Sequence, residues 1–158
     1  MKMIKCFLLI MGLMFSVLIA QEYDFSGKST INTNKASISI GLLHGASLIG
    51  GDFEYLVSNN IGLQAGFGLL GFDIGLNYHF KPSIKSSYVS LSYWNIGIGD
   101  FSVVSLLCGS FNYRGKKGLT AQLGLGKVVN AGPLAYDTYD VIPSFMLIYS
   151  IGMYFPIL

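Results

Sequence analysis

The sequence is poor in charge, in cysteine and, beyond its first twenty residues, in long apolar runs. Only 11% of its residues are charged and 52% are hydrophobic, whereas a soluble domain usually has about 25% charged residues. The chain therefore favours an apolar solvent. A helix needs about 20 consecutive apolar residues to span a membrane, and such a run occurs only in Met1–Ala20. This pattern argues against a bundle of membrane-spanning helices.

The first twenty residues have the layout of a secretory signal peptide. Lys2 and Lys5 precede an apolar stretch from Phe7 to Ile19, and Ala20 is a small residue at its exit. This order is typical of a signal that is cleaved after export; an uncleaved N-terminal anchor is the alternative. Cleavage removes two of the ten basic residues, so the mature chain carries eight basic and eight acidic residues. Its formal neutrality argues against nucleic-acid binding.

Cysteine is too scarce to stabilise the mature chain. The sequence has only Cys6 and Cys108, and Cys6 leaves with the signal peptide. A lone Cys108 cannot form an intramolecular disulfide. Cys6 also lies too early in the apolar stretch to be a lipoprotein anchor. Stability must therefore come from another source.

From Ala36 onward, after a polar and flexible lead over residues 21–35, the sequence alternates with a period of two. Ile61–Leu69 is the clearest example, because its large apolar residues alternate with glycine and glutamine. Period-two alternation interrupted by Gly, Asn and Pro predicts strands rather than helices. The predicted strands are 36–43, 47–57, 61–69, 72–81, 88–96, 101–113, 119–127 and 144–155. Residues 58–60, 82–87 and 114–118 are predicted turns, and 128–143 is the longest connection.

Each predicted strand has one large apolar face and one face of polar residues or glycine. A soluble barrel that binds an apolar ligand, as lipocalins do, has the same alternation with the large residues inward. The low charge, the strand lengths of about 9–11 residues and the export signal favour a membrane-spanning sheet instead. Every backbone polar group must be paired in lipid, so this sheet must close. We therefore predict an all-β fold over residues 36–158, a closed antiparallel up-and-down transmembrane β-barrel of about eight strands, in the bacterial outer membrane.

In strand count, alternation and its aromatic last strand, Ser144–Phe155, the chain resembles the small eight-stranded outer-membrane barrels of the outer membrane protein A and X kind. The resemblance covers 36–158 and implies that both termini face the periplasm and that 128–143 lies outside. It implies two partners, outer-membrane lipid and the machinery that inserts barrels and reads a terminal aromatic residue. Residues 156–158 follow Phe155 here, so this assembly signal departs from the family pattern.

Aromatic residues make up 14% of the chain, and many lie near predicted strand ends. Such residues are typical of the girdles at the two membrane interfaces. The predicted girdle residues are Tyr55, Phe72, Tyr78, Phe80, Tyr88, Tyr93, Phe101, Tyr113, Phe145, Tyr154 and Phe155.

The polar residues of the small faces are predicted to form a network that plugs the barrel lumen. Its members are Asp52, Glu54, Gln64, Asp73, Asn77, His79, Lys81 and Gln122, together with Lys127. Buried charges must be paired or solvated. Eight strands leave little free bore, so a structural plug is expected rather than a conducting pore.

No motif predicts catalysis or cofactor binding. Residues 66–71 match G-x-G-x-x-G, but a dinucleotide site requires a helix next, and a strand pattern follows. A Ser-His-acid hydrolase needs its groups within hydrogen-bond reach, whereas His44 is predicted at an outer tip and His79 near the inner rim. A metal site needs at least three converging ligands. We therefore expect no catalytic residue, no metal, no cofactor and no enzymatic activity.

The function expected from the sequence is that of a small integral outer-membrane barrel with a structural or surface-interaction role. The candidate contacts for an unidentified extracellular protein partner are Tyr136, Asp137, Tyr139 and Asp140, in the longest outer loop. A barrel that modifies lipid A or transports small solutes is the alternative function.

Overall fold

The computed structural model describes residues 34–138 and 141–157. The predicted signal peptide over 1–20, most of the polar lead over 21–35 and two predicted loop residues, Tyr139 and Asp140, lie outside the described residues. The described part of the chain contains no helix that is long and apolar enough to cross a membrane.

Eight antiparallel strands form a closed barrel in which each strand pairs with its neighbours in sequence and β1 pairs with β8. The strands are β1 (Ala36–Leu42), β2 (Ile49–Leu56), β3 (Ile61–Gly68), β4 (Gly71–His79), β5 (Tyr88–Ile96), β6 (Val104–Arg114), β7 (Leu119–Ala131) and β8 (Phe145–Ile157). The predicted closed up-and-down barrel and its strand count are confirmed.

Two ends of the barrel can be distinguished by their connections. One end, here called the loop end, carries the β1–β2, β3–β4, β5–β6 and β7–β8 connections. The other end, here called the terminal end, carries Ala36 and Ile157 and the three remaining connections, β2–β3, β4–β5 and β6–β7. This division follows from the strand order, and the positions of lumen residues are given below relative to these two ends.

The alternation of side chains along the strands places the large apolar residues outward. In β3, Leu63 and Phe67 are exposed, whereas Gly62 and Gly66 face inward. In β4, Ile74 and Leu76 are likewise exposed, in contrast to the buried Asp73. Period-two geometry sends successive side chains to opposite faces, so in these two strands the wall is apolar outside and polar or small inside.

The largest departures from the predicted elements lie in the second half of the chain. The predicted sixth strand began at Phe101, but Gly99–Phe101 is a 3-10 helix and β6 begins at Val104. The predicted loop 128–143 starts too early, because β7 continues to Ala131 opposite Val104. A short helix, α1 (Pro133–Thr138), then occupies the connection. A register shift between Ser105 and Leu106 accompanies this extension.

The ladder that closes the barrel is shorter than β8. Its last rung at the loop end joins Leu42 of β1 to Ile151 of β8. β8 begins six residues earlier, at Phe145, and residues 145–150 pair with β7 on their other side. The connection 43–48 follows Leu42 at this level. We call the stretch of β8 over 145–150 beyond the end of β1 the β8 edge.

Candidate functional site in the barrel lumen

The lumen holds an apolar cluster near the loop end and polar side chains along the rest of its length, including a polar cluster around His44. Trp94, Leu106 and Ile148 are buried in one apolar cluster, joined by Ala135 of α1. Below them, charged and amide side chains lie with little exposure to solvent. Such groups are stable inside a barrel only when they are paired or hydrogen-bonded, and they form two connected clusters.

The cluster near the terminal end is an ion pair with histidine. A nitrogen of Arg114, Nη2, lies 2.8 Å from Glu54 Oε2, and both side chains are almost fully buried. His79 Nε2 lies 2.9 Å from the other carboxylate oxygen, Oε1. Asn77 Nδ2 donates a short hydrogen bond to the same oxygen. The Glu54 carboxylate on β2 thus receives donors from two other strands, β4 and β6, across the lumen.

Arg114 is held on every side by groups from distant parts of the chain. Its guanidinium lies over the ring of Tyr88, at 5.0 Å, and over that of Tyr154, at 4.7 Å. Nη2 donates to Ser37 Oγ at 2.9 Å, and Nη1 donates to the carbonyl oxygen of Ile84. Cation–π contacts away from water contribute more to stability than exposed ones. Through these partners, Arg114 connects β6 to β1, β5 and β8.

Two amide side chains, Asn77 and Gln64, extend the hydrogen-bond network from Glu54 towards the loop end. Asn77 Nδ2 donates to Gln64 Oε1 at 3.0 Å, and Gln64 Nε2 donates to Asp73 Oδ1 at 3.1 Å. Asp73 in turn lies beside Asp52: a Cβ at Gly66 would meet oxygens of both carboxylates. The two clusters therefore form one continuous polar column along β2, β3 and β4.

The cluster near the loop end is centred on His44. His44 Nδ1 lies 2.7 Å from Asp52 Oδ2, and both residues are buried. The backbone N–H of Gly45 donates to the other oxygen, Oδ1, at 3.1 Å. A carboxylate facing Nδ1 fixes the proton on that nitrogen and leaves Nε2 as an acceptor.

The free face of His44 meets a serine. Ser150 Oγ lies 3.4 Å from His44 Nε2 and donates to Gln122 Oε1 at 3.2 Å. Gln122 Nε2 donates to Ser110 Oγ at 2.8 Å. A hydroxyl, an imidazole and a carboxylate, Ser150, His44 and Asp52, therefore lie in sequence within the lumen. Residues 44 and 150 are 106 positions apart.

The backbone around His44 adopts an uncommon conformation. Leu43, Gly45 and Ala46 have φ values of 59°, 62° and 53°, in the left-handed region that a bulky residue such as leucine rarely enters. This turn points His44 inward. Strain of this kind is retained only where the surrounding structure enforces it.

Two glycines leave room for the imidazole. Gly41 and Gly152 face each other on β1 and β8. A Cβ at Gly41 would lie 2.6 Å from His44 Cδ2, and a Cβ at Gly152 would lie 3.0 Å from His44 Nε2. A side chain at either position would displace the ring, so the glycine pair is part of the site.

Most of the predicted lumen residues lie in this column. Buried in the lumen are Asp52, Glu54, Asp73, Asn77, His79 and Gln122, and Gln64 is half-buried beside them. Lys81 does not join them, because β4 ends at His79 and Lys81 is exposed in the next connection. Lys127 is also exposed, since it shares the outward face of β7 with Leu125. Neither lysine is therefore an unpaired charge buried in the lumen.

Several residues of the site were placed elsewhere by sequence reasoning. Arg114 was assigned to a basic turn but ends β6 and points inward. Tyr88 and Tyr154 were assigned to the outer aromatic girdle but are buried in the lumen. His44 lies in the β1–β2 connection at the loop end, as predicted, but its side chain is buried in the lumen, and Ser150 was not singled out. The inward parity of Ser150 and Tyr154 on β8 was the signal that could have identified both.

The predicted outer-loop contacts are only partly described. Tyr136 lies on α1 and is exposed. Asp137 belongs to the same helix, and Tyr139 and Asp140 lie outside the described residues.

A cavity of about 210 Å³ lies between the β1–β2 connection, the apolar cluster of Trp94 and Leu106, and β8; His44, Asp52 and Ser150 do not line it. Its wall includes Leu43 and Leu48 at the ends of the β1–β2 connection, and the four consecutive β8 residues 146–149. Consecutive residues of a strand point to opposite faces of a sheet. A cavity that touches all four therefore lies along the β8 edge, where the wall is not closed by β1.

Comparison with protein-family models, with curated proteins and with solved structures found no match. Within residues 34–138 and 141–157, no group of three or more His, Cys, Asp or Glu side chains could hold a metal ion. The site must therefore be interpreted from its own chemistry.

Proposed function

We propose that this protein is a small integral barrel of the bacterial outer membrane, exported by its N-terminal signal peptide and inserted with its apolar wall against lipid. The observation that carries the proposal is the orientation of the strands. Leu63, Leu91 and Ile151, on three different strands, are each more than half exposed, whereas charged residues lie in the lumen. A water-soluble barrel would have the reverse arrangement.

The extent of the exposed apolar wall supports a lipid environment. Large apolar residues are exposed on all eight strands. Soluble monomers rarely expose contiguous apolar patches larger than about 300–600 Å². Closure of the barrel also pairs the backbone groups that a hydrocarbon environment cannot satisfy.

The lumen supports a structural role rather than conduction. Leu106 and Trp94 fill the bore near the loop end, and the Glu54–Arg114 pair fills it near the terminal end. An eight-stranded barrel has an interior just wide enough for side chains. We expect no measurable ion conductance in planar bilayers.

The β7–β8 connection is the candidate surface for a partner. It contains α1, and Tyr136 on this helix is 70% exposed. Exposed aromatic residues are frequent at the centres of protein interfaces. In the proposed orientation this connection faces outward from the cell, where an extracellular protein could contact it.

Fractionation and gel migration test the proposal together. The full-length gene is expressed, the outer-membrane fraction is isolated, and samples are run on a gel with and without boiling. A closed barrel in this fraction should migrate differently before and after heating. Recovery in the soluble periplasmic fraction, with no heat-dependent shift, would contradict the proposal and favour a soluble ligand-binding barrel.

Protease treatment of intact cells tests the orientation. We expect cleavage within the β7–β8 connection near Tyr136. A protein that is present in the outer membrane but is not cut there would contradict an outward position of this connection.

A further inference from the structure

We propose that Ser150, His44 and Asp52 form a nucleophilic site that hydrolyses acyl esters of membrane lipids, reached from the bilayer along the β8 edge. The route of access rests on the proposed membrane insertion. The chemistry rests on the three side chains themselves.

The order of the three groups is that of an activated hydroxyl. Asp52 faces His44 Nδ1 at 2.7 Å, so the imidazole is oriented with Nε2 as the proton acceptor. Ser150 Oγ is the group on that side, at 3.4 Å. A nucleophile, a base and an orienting acid in this arrangement are recognised by geometry rather than by sequence order. Such hydrogen bonds are often long before substrate binds.

Further features fix the imidazole in place. The Gly45 N–H holds the far oxygen of Asp52, and Gly41 and Gly152 leave the space that the ring occupies. The left-handed residues on both sides of His44 direct it inward. A purely structural plug does not require an oriented histidine or a turn of this kind. An asparagine or glutamine on a neighbouring strand could donate to the same Asp52 carboxylate.

The β8 edge gives the site an entrance from the side. Ser150 is the first residue of β8 beyond the last rung with β1. The adjoining cavity includes the residues immediately before the base and the nucleophile, Leu43 and Tyr149. Its remaining wall is mainly apolar, with Met146 and Ile148 on β8.

The size and lining of this cavity indicate the substrate class. At about 210 Å³ it is smaller than the roughly 300–1,000 Å³ of sites that enclose whole drug-sized ligands. It therefore fits part of an acyl chain rather than a whole lipid. The cavity ends at Leu43 and Tyr149, each one residue from His44 or Ser150, so the ester carbonyl would have to pass between these two residues to reach Ser150. Both glycerophospholipids and acylated glycolipids supply this chemistry.

The reaction is a two-step acyl transfer to water. The Ser150 hydroxyl first rotates its proton from Gln122 Oε1 to His44 Nε2. Ser150 Oγ then attacks the ester carbonyl carbon as this proton passes to His44 Nε2. The carbon–oxygen bond to the alcohol then breaks, and His44 returns the proton to the departing alcohol, which leaves an acyl group on Ser150. Water attacks the carbonyl carbon of this acyl ester as its proton passes to His44, the bond from that carbon to Ser150 Oγ breaks, and His44 returns the proton to Oγ. The products are a free fatty acid and the unmodified serine.

The first experiment uses an alkyl fluorophosphonate, which reacts with activated serines, on the full-length chain folded in detergent micelles. Mass spectrometry should show one phosphonyl adduct, located on Ser150. Ser150→Ala should remove it. Ser92→Ala is the matched control, because Ser92 is also a buried lumen serine and should leave labelling unchanged.

Variants of the other two residues test activation of the serine. His44→Gln and Asp52→Asn should each slow labelling by roughly 10²–10⁴-fold, the usual contribution of general-base catalysis. Each variant is first checked for the heat-dependent gel shift. If Asp52→Asn does not fold, His44→Gln carries the same test.

The second experiment identifies the lipid. The folded protein is incubated with vesicles of phosphatidylethanolamine and phosphatidylglycerol, or with micelles of lipopolysaccharide, and released fatty acid is measured. Release that depends on Ser150 and His44 from either preparation supports the proposal and identifies the lipid class. Met146→Trp, which fills the cavity, should slow this release while Ser150 labelling by a short-chain phosphonate is retained.

The outcomes separate this site from the proposed function. A heat-shifting barrel whose Ser150 is not labelled would show that the three residues are a structural contact only, and would overturn the site while leaving the membrane barrel intact. Labelling without fatty acid release from either lipid would overturn the substrate class. Loss of the heat-dependent shift in the wild-type protein would instead contradict the proposed function.

Discussion

Replacing Arg114 with methionine should destabilise the barrel strongly. Arg114 is 3% exposed and pairs with Glu54 at 2.8 Å. Removing one partner of a buried pair leaves an uncompensated charge and costs about 3–5 kcal/mol. The contacts with Tyr88 and Tyr154 add about 0.5–2 kcal/mol each. We expect Arg114→Met to lower the free energy of unfolding by at least about 4 kcal/mol.

The matched control removes the charge that this variant leaves behind. In the double variant Glu54→Gln with Arg114→Met, an amide can still accept from Asn77 or His79. The double variant should therefore be more stable than Arg114→Met alone, which is the sign expected of a coupled pair.

Urea unfolding in detergent micelles measures both effects. Trp94 is the single tryptophan of the chain and is buried in the lumen, so its fluorescence reports loss of the barrel interior. The heat-dependent gel shift provides an independent measure of the fraction of folded protein. A loss below about 1 kcal/mol for Arg114→Met, or a double variant less stable than the single one, would refute the reasoning about the buried pair.

Three further predictions concern other positions in the barrel. Gly66→Ala should lower the free energy of unfolding by about 1–3 kcal/mol, because the added methyl overlaps two lumen carboxylates. Gly109→Ala is its control: a Cβ there meets no atom within 4 Å, so a change as large as that of Gly66→Ala would be unexpected. Ile74→Arg, on the outward face, should cost about 2–4 kcal/mol in lipid vesicles, whereas Ile74→Leu should be nearly neutral; equal stability of the two variants would argue against lipid contact. Cys108 is fully buried, so a maleimide should modify it only after heat or urea opens the barrel, and rapid modification of the folded protein would contradict its position.

The period-two alternation was enough to predict the barrel, because the face to which each strand residue points is determined by its position along the strand. In β3 the pattern of large and small residues matches the observed outward and inward faces over Ile61–Gly68. The sixth strand has apolar residues on both faces, which obscures its alternation, because Leu106 and Leu107 lie on opposite sides of the wall. The inward leucine belongs to the apolar plug of the lumen.

The site was less predictable because it depends on the backbone conformation of a connection between strands. Periodicity predicted Asp52 and Glu54 inside, but it contains no information about a connection such as 43–48. His44 reaches the lumen only because its neighbours adopt left-handed conformations. Arg114 was assigned to a turn by its position in a basic run, although buried partners on four elements stabilise it in β6. Long-range pairing of this kind cannot be derived from local patterns.

Contact of the outward wall with lipid is the central claim, and quenching by brominated lipids tests it most directly. Single cysteines replace Leu63, Leu76 or Leu91 on the wall, or Lys117 in the β6–β7 connection, in a Cys108→Ala background, and each carries a fluorophore in reconstituted vesicles. Lipids brominated on the acyl chain should quench the three wall positions strongly and position 117 weakly. Wall positions that are not quenched by these lipids, but are quenched by iodide in the water, would contradict the account.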